Sequence, residues 1–244
     1  MKKITSLILA LTMIFTCALV LNSCGKKKDS DDDGGNEEMG EGASLYLDTR
    51  SIEGRDIKYV EICVENYGKM VVLLDATTAP VTVENFISLV NSGFYNGLTF
   101  HRIMEGFMIQ GGDPDANGGG GSGKDIYGEF DSNGHTNDIS HLRGVISMAR
   151  ATDPNSASSQ FFIMHADYTG LDGDYAAFGY VVEGISVVDD IVEATMKNCQ
   201  EYFGNDFIYW LYYGNGSLTS GSAPIKELQP KIKYIKVLDS WENN

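Results

Sequence analysis

The chain has 244 residues and a formal net charge of −16, with 34 Asp and Glu against 18 Lys and Arg. This balance argues against nucleic-acid binding, which needs a basic footprint, and against adhesion to anionic membranes through the protein's own side chains. Hydrophobic residues make up 43% of the chain, enough to fill the core of one domain.

Residues 1–23 open with Lys2 and Lys3 and continue as an apolar run from Ile4 to Leu21, the pattern of a secretion signal. The run ends in Leu21-Asn22-Ser23-Cys24-Gly25, which resembles the lipobox of bacterial lipoproteins. That resemblance implies cleavage before Cys24, a lipid on Cys24, and an extracytoplasmic protein anchored to a bacterial membrane. The expected place is the outer membrane, facing the periplasm or the surface. An uncleaved anchor helix or an ordinary secretory signal is the alternative. Residues 24–54 are charged, Gly-rich and poor in apolar residues until Leu45, as expected of a flexible acidic linker. Within them Ser30-Asp31-Asp32-Asp33 resembles the surface-export signals of some Bacteroidetes lipoproteins, although a plain spacer is the simpler account.

The folded domain is expected over 55–241. Tyr59 to Glu65 alternates, with Val60, Ile62 and Val64 on one face, and predicts a half-buried strand. Asn66-Tyr67-Gly68 turns the chain, and Lys69 to Asp75 returns as a second strand. Pro80 near the start and Gly93 at the end bracket a helix over 79–93, with Val83, Phe86, Ile87 and Val90 on its buried side. Short strand-like runs follow at 99–103, 107–111, 145–149, 160–164, 177–182 and 231–238. A second helix fits Ile185 to Thr195. Many short strands with two helices predict a mainly β fold, a closed antiparallel β-barrel capped by helices. Residues 196–230, dense in aromatics and then rich in Gly and Ser, read as an insertion, either a local hairpin packed on the barrel or a partner surface.

Several chemistries fit poorly. Gly118 to Lys124 reads GGGGSGK, close to a phosphate-binding loop. However, Asp125 replaces the hydroxyl residue that such loops place after the Lys, and an acidic segment precedes it. His101, His135, His141 and His165 form no metal-ligand spacing, so neither metal nor cofactor is expected. No Gly-x-Ser-x-Gly elbow is present for a serine hydrolase. With Cys17 in the signal and Cys24 lipidated, Cys63 and Cys199 remain, either as a disulfide or as two buried thiols.

What is left is a groove of apolar residues with one Arg and two Gln. FHRIMEGFMIQGGD (100–113), GKDIYGEF (123–130), GVISMARA (144–151), SSQFFIMHAD (158–167) and LDGDYAAFGYVVEG (171–184) resemble, in order and spacing, the signature blocks of the cyclophilin family. The resemblance covers about 55–238. It implies an eight-stranded antiparallel barrel closed by two helices, and peptidyl-prolyl cis-trans isomerase activity on proline-containing polypeptides. It also implies Arg102, Phe107 and Gln110 as catalytic residues. His101, Met108, Gly120, Ala149, Arg150, Ala151, Gln160, Phe162, Leu171 and Tyr175 would line the peptide's path.

The chemistry is consistent with so few reactive groups. Rotation about an Xaa-Pro bond faces a barrier of about 18–20 kcal/mol, and no bond breaks. Where many members carry Trp before the Leu171 equivalent, this chain has Gly170, and cyclosporin is therefore expected to bind weakly. Tyr175 and Arg150 also depart from the commonest pattern, as in bacterial members. The expectation is a monomeric, lipid-anchored isomerase for exported proteins. A non-catalytic peptide-binding lipoprotein using the same groove is the rival.

Overall fold

The structure, a computed structural model, describes residues 52–204 and 226–241. The signal segment 1–23, Cys24, the linker up to residue 51 and residues 205–225 of the expected insertion lie outside the described residues. Among the described residues no helix is long and apolar enough to cross a membrane.

Eight strands form one antiparallel sheet: β1 (Ile57–Val64), β2 (Gly68–Asp75), β3 (Thr99–Met104), β4 (Met108–Asp113), β5 (Val145–Met148), β6 (Phe161–Met164), β7 (Ala177–Glu183) and β8 (Ile232–Leu238). Their order is β3-β4-β6-β5-β7-β2-β1-β8. The edge strands approach each other at one isolated bridge, Thr99 to Lys231, backed by Phe100 N–H donating to Pro230 O and Ile232 N–H to Leu98 O. The closed barrel expected from the sequence is thus corrected to a curled half-barrel, because no continuous ladder joins β3 to β8.

Helix α1 (Pro80–Asn91) and helix α2 (Ser186–Phe203) pack apolar faces against the sheet's inner side. Phe86 of α1 reaches Phe161 edge-on at 5.4 Å and Phe178 at 5.3 Å between ring centroids. Helix α1 starts at Pro80, where a missing N–H costs nothing. Its next two N–H groups, of Val81 and Thr82, donate to the buried carboxylate of Glu129 at 3.0 and 2.8 Å, an acid placed at the positive end of the helix dipole.

Helix α2 is longer than the sequence reading allowed. It continues through residues 196–203, assigned above to the insertion, because Met196 and Cys199 prolong the apolar face of Val188, Ile191, Val192 and Thr195. Cys63 and Cys199 are both free, buried thiols, and burial pushes that of Cys199 up to about 12.

The strands have two apolar faces. Ile103, Ile109, Ile146, Phe161 and Ile163 point into the core under the helices. Met108, Val145, Phe162, Met164 and Val182 form a second cluster on the outer face. The groove lies on that outer face.

Candidate active site

Strict alternation along FHRIM would put Phe100 and Arg102 on the same face. The structure inserts one extra residue at His101: Phe100 pairs with Gly111, and Arg102 already pairs with Gln110. This bulge sends Phe100 into the core and turns Arg102 to the outer face, the re-aiming that bulges perform beside functional sites. Cross-strand register then builds a row. Arg102 faces Gln110, Gln110 faces Phe162, and Phe162 faces Ser147.

Around this row lies a cavity of about 170 Å³ whose apolar wall is Phe107, Met108, Phe162 and Leu171. His101, Arg102, Gln110, Ala149, Arg150 and Tyr175 complete it. A second cavity of about 370 Å³ adjoins it and shares Gln110, Gly118, Ala149 and Arg150. Gly120, Ala151 and Gln160 line that second cavity. The groove residues named from the sequence, Cys24 apart, therefore border one or other of two joined hollows.

A relay of side-chain amides fixes the polar groups. Gln160 Nε2 donates to the carbonyls of Gly118 and Gly120 at 3.0 and 2.8 Å. Its oxygen accepts from Gln110 Nε2 at 2.8 Å. Gln110 is left with its oxygen toward Arg102, whose Nη1 donates to it at 3.3 Å. The Gly-rich loop, which failed as a phosphate site, is thus the anchor of the relay. The loop is shaped by Asp113, whose buried carboxylate accepts N–H groups from Asp115, Asn117 and Gly118 at 2.6–3.0 Å. Burial raises the Asp113 pKa, and these donors together with Gly120 N–H outweigh it and hold it below the usual value. A side chain on Gly120 would bring its Cβ within 2.1 Å of Asp113 Oδ1, so the loop admits no side chain there.

Arg102 is half-buried and meets no carboxylate among the described residues. Besides Gln110 it touches the Met104 sulfur at 3.2 Å and the Phe107 ring face at 6.0 Å, and its Nε is buried with no hydrogen-bond partner. Burial lowers its pKa from the usual guanidinium range, yet it stays charged at neutral pH. Both ring nitrogens of buried His101 also lack partners, and burial pushes its pKa down. Among the described residues no cluster of three His, Cys, Asp or Glu side chains is arranged to hold a metal ion.

Residues 59–209 match the model of the cyclophilin type peptidyl-prolyl cis-trans isomerase family. The chain belongs to that family. It is 42% identical over 144 residues to peptidyl-prolyl cis-trans isomerase A of Dickeya dadantii (strain 3937), covering 55% of this chain and 72% of that protein. With peptidyl-prolyl cis-trans isomerase B of Bacillus subtilis (strain 168) it shares 43% over 122 residues, or 50% of this chain and 82% of the other. The crystal structure of a Cryptosporidium parvum cyclophilin superposes with a TM-score of 0.58 at 28% identity, over 76% of this chain and 99% of that one.

Three residues that shape this cyclophilin's site escaped the sequence reading. Asp113 closes the FHRIMEGFMIQGGD block, and nothing in the sequence shows which N–H groups its carboxylate gathers. His141 is buried, stacks on Phe162 at 6.0 Å, and bridges Asp172 Oδ1 at 2.8 Å and Ser147 Oγ at 3.0 Å. Burial lowers its pKa despite Asp172, so it is a neutral ring that donates from Nδ1 and accepts at Nε2. Tyr168 packs edge-on against Phe107 at 5.1 Å. A tyrosine just ahead of the LDGDY block carries no local signal of that contact.

Proposed function

We propose that this peptidyl-prolyl cis-trans isomerase lowers the rotation barrier of Xaa-Pro bonds through Arg102. The proline ring fills the apolar cavity between Phe107, Met108, Phe162 and Leu171. The residues before it run past Gln160 and the Ala149-Arg150-Ala151 segment. As the amide twists, its nitrogen lone pair localises and becomes a better acceptor. A guanidinium aimed at that nitrogen then stabilises the twisted state more than the planar one, which is the condition for acceleration. Lowering the barrier by roughly 7 kcal/mol would speed exchange about 10⁵-fold.

The observation that carries this reading is the unpaired charge of Arg102, a partly buried guanidinium with an unpartnered Nε beside an apolar hollow. A groove that only held peptides would have no use for it. The amide relay supports the reading by holding a neutral acceptor, not an acid, next to the cation.

The signal-like residues 1–23 and the lipobox-like segment at Cys24 support a lipid-anchored protein acting on exported polypeptides at a bacterial outer membrane. Exchange spectroscopy on an Ala-Xaa-Pro peptide tests the catalytic part. Wild type should accelerate exchange, and Arg102→Ala should lose on the order of 10²–10³-fold while still binding the peptide. Binding without acceleration by wild type would favour the rival peptide-binding lipoprotein.

A further inference from the structure

Tyr168 is 52% exposed, second only to Tyr202 among the large apolar side chains of the described residues. Its ring does not float free: it stands edge-on to Phe107 at an interplanar angle of 67°. The backbone holds it there. Tyr168 N–H donates to His141 O at 2.8 Å, and Leu171 N–H donates to Tyr168 O at 3.3 Å across the short 3-10 turn Thr169–Leu171. One turn therefore carries both Leu171, which lines the proline cavity, and Tyr168, which packs on Phe107 of that cavity's wall.

Gly170 makes room for that ring. A Cβ on Gly170 would lie 3.1 Å from Tyr168 Cε1 and 3.4 Å from its Cζ, closer than the ring could tolerate without moving. The position of the tyrosine ring and the absence of a side chain at 170 are thus one arrangement.

That wall lies on a defined side of the site. The larger cavity joins the proline cavity through Gln110, Gly118, Ala149 and Arg150. Phe107 and Leu171 border only the proline cavity. An extended peptide that enters past the shared residues leaves past Phe107, and there it meets the exposed face of Tyr168.

We infer that Tyr168 is a specificity-determining residue of this isomerase, an aromatic wall that selects a large apolar, above all aromatic, residue immediately after the proline. The inference rests on the proposed direction of the peptide through the groove. Aromatic rings prefer edge-to-face and offset contacts, and the Tyr168–Phe107 pair offers an incoming ring both an edge and a face.

The test measures dissociation constants of Ala-Ala-Pro-Phe and Ala-Ala-Pro-Gly peptides by NMR titration of wild type, Tyr168→Phe and Tyr168→Ala, with exchange rates read on the same samples. Wild type and Tyr168→Phe should favour the Phe peptide on the order of five- to tenfold. Tyr168→Ala should bring that ratio to about one by weakening only the Phe peptide. Its exposed position keeps the truncation from disturbing the core. A ratio that survives Tyr168→Ala, or an equal loss for both peptides, overturns the inference, the latter by reducing Tyr168 to a prop for Phe107. If wild type shows the expected ratio but no exchange, the isomerase mechanism fails and the assignment of Tyr168 stands.

Discussion

The corner where β2 runs into α1 and the face made by β3, β4 and β6 each hold a partly buried arginine, and they treat it in opposite ways. At the corner, Arg55 donates from Nε and Nη2 to Asp75 Oδ2 at 3.1 and 2.6 Å and from Nη2 to Thr78 Oγ1 at 2.5 Å. Asp75 also accepts from the N–H groups of Thr77 and Thr78. Arg143 is matched in the same way by a two-pronged contact with Asp189 at 2.8 and 2.7 Å. On the groove face Arg102 has an amide oxygen, a sulfur and a ring face instead. Stability alone favours the first arrangement, because a buried charge without a counterion is costly. A cation kept uncompensated at a cavity is available to a group that enters it.

The two arginine environments can be altered separately. Asp75→Ala removes the counterion at the corner and should cost about 3 kcal/mol in urea unfolding, while the exchange rate per folded molecule is retained. Equal loss of stability and rate would deny that the two regions are separate. Gln110→Glu does the reverse and gives Arg102 the carboxylate its counterparts possess. The expected result is a fall in kcat/KM of about thirtyfold, near 2 kcal/mol in the barrier, with stability unchanged or raised. An undiminished rate would show that the free charge is incidental.

Smaller effects sharpen the picture away from the groove. Glu129→Ala strips the cap from α1 and should lower stability by about 1.5 kcal/mol, with peptide binding unaffected in titration. The least change is expected on mild acidification. Burial lowers the pKa of His101 and of His141, so the unfolded chain takes up protons first as the pH falls below about 6.5. Stability should therefore decrease between neutral pH and about pH 5.5, and a urea midpoint that rises over that interval would contradict it. Asp113 and Asp172, whose pKa values are also lowered, lose their contribution only in stronger acid.

Much of this was legible in the sequence, for identifiable reasons. The row Phe161–Met164 alternates between two buried faces, and Pro80 with Gly93 brackets α1 to within two residues at its C-terminal end. The residues that line the apolar cavity were legible because they sit in blocks whose order resembles a known family. The bulge at His101 was not readable, since an extra residue in one strand shows only in the pairing with its neighbour. Nor was the Glu129 cap, which joins positions 47 and 48 residues apart. The place of Tyr168 was not readable, because nothing in the sequence shows that its ring occupies the space beside Gly170, two residues later. Helix α2 outran its expected end because the dense aromatics after Cys199 masked two further turns of helical spacing.

Arg102→Lys keeps the positive charge and removes the planar fork of donors. Exchange spectroscopy on a saturating Xaa-Pro peptide should show the maximal rate falling by about 10²-fold, with the amide spectrum of the folded protein otherwise preserved. A lysine variant that exchanges the peptide as fast as wild type would contradict the account, since the fixed guanidinium would then contribute nothing that a mobile charge does not.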